Sequence, residues 1–192
     1  MVLAQGALRA ASPVPEIPSY LKGYEKLFAE DPRAAALQWF REAKFGLFIH
    51  YGLYSLDGIH PFEQHRLKIP VAKYEKKAVR FTAEKFDAGA FCDLALEAQM
   101  KYVTLVTKHC DGFCLWDTKH TAFNSVRSAA KRDLVAEMVA ACNQRGLALF
   151  RVLRIRLRVA SSARPAPQRL PDRHQSSLLI RFSREPLEKT EF

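Results

Sequence analysis

Short apolar runs alternate with amphipathic segments along the first 150 residues, and each run ends abruptly in polar residues. Lys44-Phe45-Gly46-Leu47-Phe48-Ile49 reads as a strand buried on both faces and stops at His50-Tyr51-Gly52. Tyr102-Val103-Thr104-Leu105-Val106-Thr107 is a β-branched strand that stops at Lys108-His109-Cys110-Asp111-Gly112. Leu147 to Phe150 begins a third strand. Between and before these runs the periodicity is helical. Asp31-Pro32 supplies an N-cap and a proline at the first helical position for a helix reaching about Ala43. Ala83 to Met100 places Phe86, Phe91, Leu94, Ala95 and Ala98 largely on one face. Asp133 opens a helix with Leu134, Met138, Ala141 and Cys142 on its apolar face, and Gly146 is its C′ stop. Residues 53–80, with Gly58, Pro61 and Pro70, read as a long excursion without regular structure. The order strand, helix, strand, helix, strand predicts a parallel α/β architecture.

In such architectures chemistry gathers where strands end. Two successive strands that each hand over to a histidine, His50 and His109, therefore predict a shared site. A single histidine there would more simply be a hydrogen-bonding loop residue.

The residues at these strand ends carry a resemblance. Ala43-Lys44-Phe45-Gly46-Leu47-Phe48-Ile49-His50-Tyr51-Gly52, after Trp39-Phe40, resembles the AKFGLFIHWG opening of glycoside hydrolase family 29, the α-L-fucosidases. Tyr102 to Trp116, YVTLVTKHCDGFCLW, resembles that family's YVVLTAKHHDGFCLW block. Lys131-Arg132-Asp133-Leu134-Val135 with Glu137, then Arg145-Gly146-Leu147, follows the next helix and strand. The resemblance covers residues 39–150. It implies the N-terminal portion, about three βα units, of a (β/α)8 barrel, incomplete and followed by an irregular basic tail. It also implies a retaining hydrolase that releases terminal fucose from glycoconjugates.

By the same resemblance His50 and His109 hydrogen-bond fucose hydroxyls. Glu63 is a candidate for the glutamate of a Glu-Trp pair that follows the first strand. A neutral imidazole both donates and accepts, and a carboxylate accepts strongly, which suits sugar hydroxyls. Three positions depart from the pattern: Tyr51 stands for a tryptophan, Gln64 for the tryptophan after the glutamate, and Cys110 for a second histidine. Tyr51 keeps an aromatic ring, whereas the Cys110 thiol is a weak hydrogen-bond partner. The pocket therefore differs from the usual one, or the chain belongs to a divergent subgroup that accepts another deoxy or related sugar.

Retaining glycosidases use two carboxyl groups about 5–5.5 Å apart. The resemblance puts both on later strands, so no catalytic residue is assigned within this chain. Asp111 is expected to order its loop, and Trp116-Asp117 only superficially resembles a nucleophile block. That chemistry uses carboxylates alone, and no metal or organic cofactor is expected. The expected partner is a fucosylated glycan, and the sequence carries no sign of the oligomeric state.

Charge and composition change the picture mainly beyond residue 150. Of a net charge of +10, residues 151–192 contribute more than half: nine arginines and one lysine stand against four acidic residues, without glycine, tryptophan or tyrosine. We therefore divide the chain into a partial catalytic barrel, 1–150, and an arginine-rich tail, 151–192. Arg151 to Val159 alternates arginine with aliphatic residues and either continues the third strand or forms an exposed edge. Ser161 to His174 is Pro/Arg/Ser-rich and reads as disordered. The tail is either a shifted or mis-joined reading frame or an evolved basic arm. As an arm it would bind nucleic acid or an anionic surface through phosphate contacts. Nucleic acid is disfavoured, because only Phe182 and Phe192 could stack on bases. A non-catalytic fucose-binding remnant is the other alternative to an enzyme fragment.

No apolar run is long enough to span a membrane. Ala10-Ala11-Ser12 resembles a signal cleavage site without the apolar core that precedes one. The resemblance alone suggests a secreted, periplasmic or lysosomal setting. Cys92, Cys110, Cys114 and Cys142 form no C-x-x-C pair and read as core thiols rather than zinc ligands.

Overall fold

The computed structural model describes residues 16–154 and the backbone of 178–182. The cleavage-like Ala10-Ala11-Ser12 and the Pro/Arg/Ser-rich stretch from Ser161 to His174 lie outside the described residues. So does the Arg/aliphatic alternation beyond Arg154.

Two short helices lead in, α1 (Glu25–Glu30) and α2 (Pro32–Ala43). Asp31 caps α2 as the sequence predicts, its carboxylate accepting from the N–H groups of Arg33 and Ala34 at 2.9 and 3.0 Å. β1 (Gly46–Ile49) follows. The segment 53–80, read as irregular, is instead a chain of single helical turns. These are a 3₁₀ turn at Leu53–Leu56, α3 (Glu63–Arg66), α4 (Val71–Glu75) and a 3₁₀ turn at Lys76–Arg80. Each is too short to show a hydrophobic period.

The next helix, α5, runs Ala88–Glu97 rather than from Ala83. Ala83 has a positive φ of 52°, incompatible with an α-helix start, and Asp87 is the cap, accepting from the Ala90 N–H at 2.9 Å. Its buried face is Ala88, Cys92 and Ala95, at i, i+4 and i+7, while Leu94 is 52% exposed. The expected face was therefore rotated about the helix axis. β2 (Tyr102–Lys108), α6 (Leu134–Gln144) and β3 (Ala148–Arg154) complete the predicted alternation. Gly146, at φ +68°, lies just beyond α6 where the C′ stop was expected.

β1, β2 and β3 form a parallel sheet in chain order, Gly46 opposite Tyr102 and Tyr102 opposite Ala148. The tail, expected to be irregular, contributes a strand. β4 (Leu178–Phe182) runs antiparallel to β3, with Phe150 opposite Phe182 and Arg154 opposite Leu178. The free edge of β3 presents unpaired N–H and C=O groups that such a segment satisfies.

The pleat divides the core. Val103, Leu105 and Leu149 pack on one face with Cys92, Ala95, Leu134, Met138 and Cys142 of α5 and α6. Ala148 and Phe150, with Tyr102 partly buried beside them, pack on the other with Leu21, Ala35 and Trp39 from the N-terminal segment. β2 and β3 are covered on both faces, so their apolar runs are continuous rather than alternating.

Candidate functional site

Because β1 and β2 are parallel and in register, Ile49 opposite Leu105, their C-terminal ends open on the same rim of the sheet. His50 and His109 leave the two strands there, with ring centroids 5.5 Å apart. His109 is the deeper of the two, 7% exposed, and is boxed by aromatic rings: Phe62 at 4.8 Å and Tyr54 at 5.6 Å, both edge-on. The 53–80 excursion folds back over the rim and delivers these two rings together with Glu63.

The electrostatics follow from this burial. Desolvation, reinforced by the proximity of His50, Arg154 and His60, pushes the His109 imidazole down to about 4. His50 moves the same way, by burial first and His60 second. Both rings are therefore neutral near pH 7, able to donate from one nitrogen and accept at the other. Nδ1 of His109 lies 3.0 Å from the Cys110 thiol, whose sulfur is 3.9 Å from the Pro61 carbonyl oxygen.

Glu63 is 1% exposed. Its Oε1 is ion-paired with Lys77, which also reaches Asp57 at 2.6 Å, and its Oε2 has no hydrogen-bond partner among the described residues. Burial disfavours the Lys77 ammonium, but Asp57 and Glu63 more than offset it, so Lys77 stays charged. The Tyr74 hydroxyl donates to Asp111 Oδ2 at 3.2 Å, and burial, then the nearby carboxylates of Asp111 and Glu63, raise its pKa. Asp111 also accepts from the Phe113 N–H at 3.1 Å, the loop-ordering role its position suggested. Burial pushes its carboxyl up to about 6. The Tyr54 hydroxyl, like Glu63 Oε2, is buried without a hydrogen-bond partner among the described residues.

Of the sequence-predicted residues, the fold gathers His50, His109, Cys110 and Glu63 at one rim. It does not bring Tyr51 to them: that ring packs against Phe81 and Phe86, at 5.6 and 5.1 Å. Three residues escaped sequence reading. Tyr54 and Phe62 come from the excursion, whose path no periodicity reveals. Arg154, at the end of β3 and assigned to the tail, places its guanidinium 5.2 Å from the Phe62 ring. Its signal was positional, a third strand end beside the first two. Asp117 is remote from this chemistry, its N–H donating to Asp133 at 3.1 Å.

The α-L-fucosidase family profile matches residues 17–154, which takes in every residue of this rim. The chain belongs to the α-L-fucosidase family. Among its relatives, the plasma α-L-fucosidase of Rattus norvegicus is 38% identical over 124 residues, covering 56% of this chain and 27% of that protein. The rat tissue α-L-fucosidase is 36% identical over 127 residues, covering 57% and 28%. The solved Thermotoga maritima α-fucosidase, in complex with a mechanism-based inhibitor, is 40% identical with a TM-score of 0.56, over 60% of this chain and 34% of that one. The Lactobacillus casei α-L-fucosidase with its fucose product is 34% identical with a TM-score of 0.59, over 61% and 40%. This fucosidase-family chain thus spans little more than a quarter of the curated relatives' length.

Proposed function

We propose that the chain is the N-terminal part of a retaining α-L-fucosidase whose closed (β/α)8 barrel needs the remainder of the family's length. Within it, residues 16–150 serve as the sugar-binding start of the barrel. His50, His109 and Glu63 hold hydroxyls of a terminal fucose, Cys110 lies beside them as a weak thiol contact, and the carboxylate pair comes from strands this chain does not span. The observation that carries this reading is the meeting of two neutral imidazoles at the ends of adjacent parallel strands, 5.5 Å apart. A buried carboxylate with one unpaired oxygen lies on the same rim.

Each group has a part to play. Neutral imidazoles match sugar hydroxyls, which need both a donor and an acceptor. Lys77 engages Glu63 through Oε1 alone, which leaves Oε2 to accept from a hydroxyl. Phe62 and Tyr54 exclude water from His109 and offer apolar surface to a deoxy sugar's methyl group. The ring of Tyr51 supports the core under the rim from its place between Phe81 and Phe86, and a role in touching sugar falls to the other residues.

Fucose titrated into the 192-residue chain should bind at millimolar concentration and shift the imidazole resonances of His50 and His109. His109→Ala should weaken binding at least tenfold. An aryl α-fucoside should not turn over. Saturable hydrolysis lost with His109→Ala would place the reacting carboxylates within this chain, and fucose-independent histidine spectra at tens of millimolar would remove the sugar-binding role.

A further inference from the structure

Cys92, in the middle of α5, and Cys142, in the last turn of α6, meet under the sheet with their sulfurs 3.6 Å apart. Both are buried and both are free thiols. Nothing in the fucose-binding rim uses them. They sit where α5 and α6 pack together, in the apolar layer with Leu134 and Met138. From this contact we propose that Cys92 and Cys142 form a reversible disulfide that cross-links α5 to α6 and encloses β2, with its His109 loop, in a covalent ring.

A disulfide has sulfurs about 2.05 Å apart, so the thiols must close by about 1.5 Å, a distance within reach of side-chain rotation and small helix shifts. The chemistry is ordinary thiol–disulfide exchange with a low-molecular-weight disulfide such as oxidised glutathione. The Cys92 thiolate attacks one glutathione sulfur and expels the other as a thiolate. Cys142 then loses its proton to solvent and attacks Cys92 Sγ, expelling the second glutathione. Two protein thiols are oxidised, and one glutathione disulfide is reduced to two thiols. The local field suits this order. A hydrogen bond from Cys142, with Arg145 nearby, lowers the Cys92 pKa, and the same hydrogen bond raises that of Cys142. The two sites are separated by 50 residues in the chain, a loop long enough for the cross-link to restrict the unfolded state appreciably.

The test is to refold the full chain from urea in glutathione buffers of increasing oxidised-to-reduced ratio, trap free thiols by alkylation, and map peptides without reduction. The expected result is a Cys92–Cys142 linked peptide at least tenfold more abundant than any other protein disulfide. It should be absent in Cys92→Ser, and the thermal midpoint of the oxidised chain should rise by about 5–10 °C over the reduced chain. A second readout covers poor refolding: chain expressed in an oxidising compartment and never reduced should show two titratable thiols in denaturant instead of four. Four free thiols at the most oxidising ratio and in that material would overturn the proposal. So would linkages spread evenly among the other cysteine pairs.

Discussion

Asp111 and His109 stand two residues apart in the loop after β2, and burial moves them in opposite directions. The His109 pKa falls from 6.5 to about 4, so between those values the unfolded chain binds a proton that the native one refuses. Its contribution to stability is therefore full above pH 6.5 and is lost as the pH falls through that window. The Asp111 pKa rises from 3.8 to about 6, so there the native state holds a proton the unfolded chain releases. Its contribution is full below about pH 3.8 and is lost as the pH rises through 6. The two slopes oppose each other over pH 4–6. Asp111→Asn should therefore lose stability on acidification from pH 6 to 4 more steeply than the parent, by about 2 kcal/mol, whereas His109→Gln should gain. Urea midpoints at the two pH values would show it; three parallel curves would mean that burial does not set these pKa values. At this scale the sequence was informative where a strand end fixed a residue's address, as for His50 and His109. It was blind to Tyr54 and Phe62, because what brings them to His109 is the folding back of a segment without periodicity. Tyr51 shows the converse: its neighbour in the chain faces the rim, and alternation along extended backbone turns Tyr51 towards Phe81 instead.

Among the elements, α5 and α6 depend on a side chain that belongs to neither. Arg132, just before α6, donates from Nη1 to the Ala83 carbonyl at 2.7 Å and from Nη2 to the Phe86 carbonyl at 3.0 Å. Its Nε donates to Glu137 at 2.8 Å. One guanidinium thus joins the turn that leads into α5 to the first turns of α6. Its fork matches three acceptors at once, which an ammonium on a flexible stem cannot do. Arg132→Ala should cost about 2–3 kcal/mol, and Arg132→Lys should recover less than half of it. Chemical denaturation of the three chains checks this, and full recovery by lysine would show that charge rather than geometry matters. The existence of these helices was legible from apolar spacing, and that of α6 from its Asp133 cap and Gly146 stop. The start of α5 was misplaced because apolar residues such as Phe86 extend the period backwards past Asp87. Only the positive φ at Ala83 and the Asp87 cap exclude those residues from the helix.

For the molecule as a whole, a three-stranded parallel sheet that is not closed into a barrel has an edge problem that no residue-level feature removes. β3 meets an antiparallel strand, but β1 has a neighbour on one side only, since β1-β2-β3-β4 is the full strand order among the described residues. At that open edge, Phe45, just before β1, and Phe48, within it, are 55% and 56% exposed. In a closed barrel an eighth strand would pair with β1 and such side chains would be covered. Without it, backbone donors, backbone acceptors and aromatic surface lie together, the combination that recruits another chain. The chain should therefore self-associate in a concentration-dependent way through β1. Phe48→Lys places a charge on the exposed face of the edge strand and leaves the buried Ile49 untouched, so it should shift sedimentation towards monomer by severalfold at equal concentration. Its helix content should not change. An unchanged sedimentation profile would mean that association, if any, runs through another surface, and a monomeric parent at hundreds of micromolar would show that the β1 edge is protected.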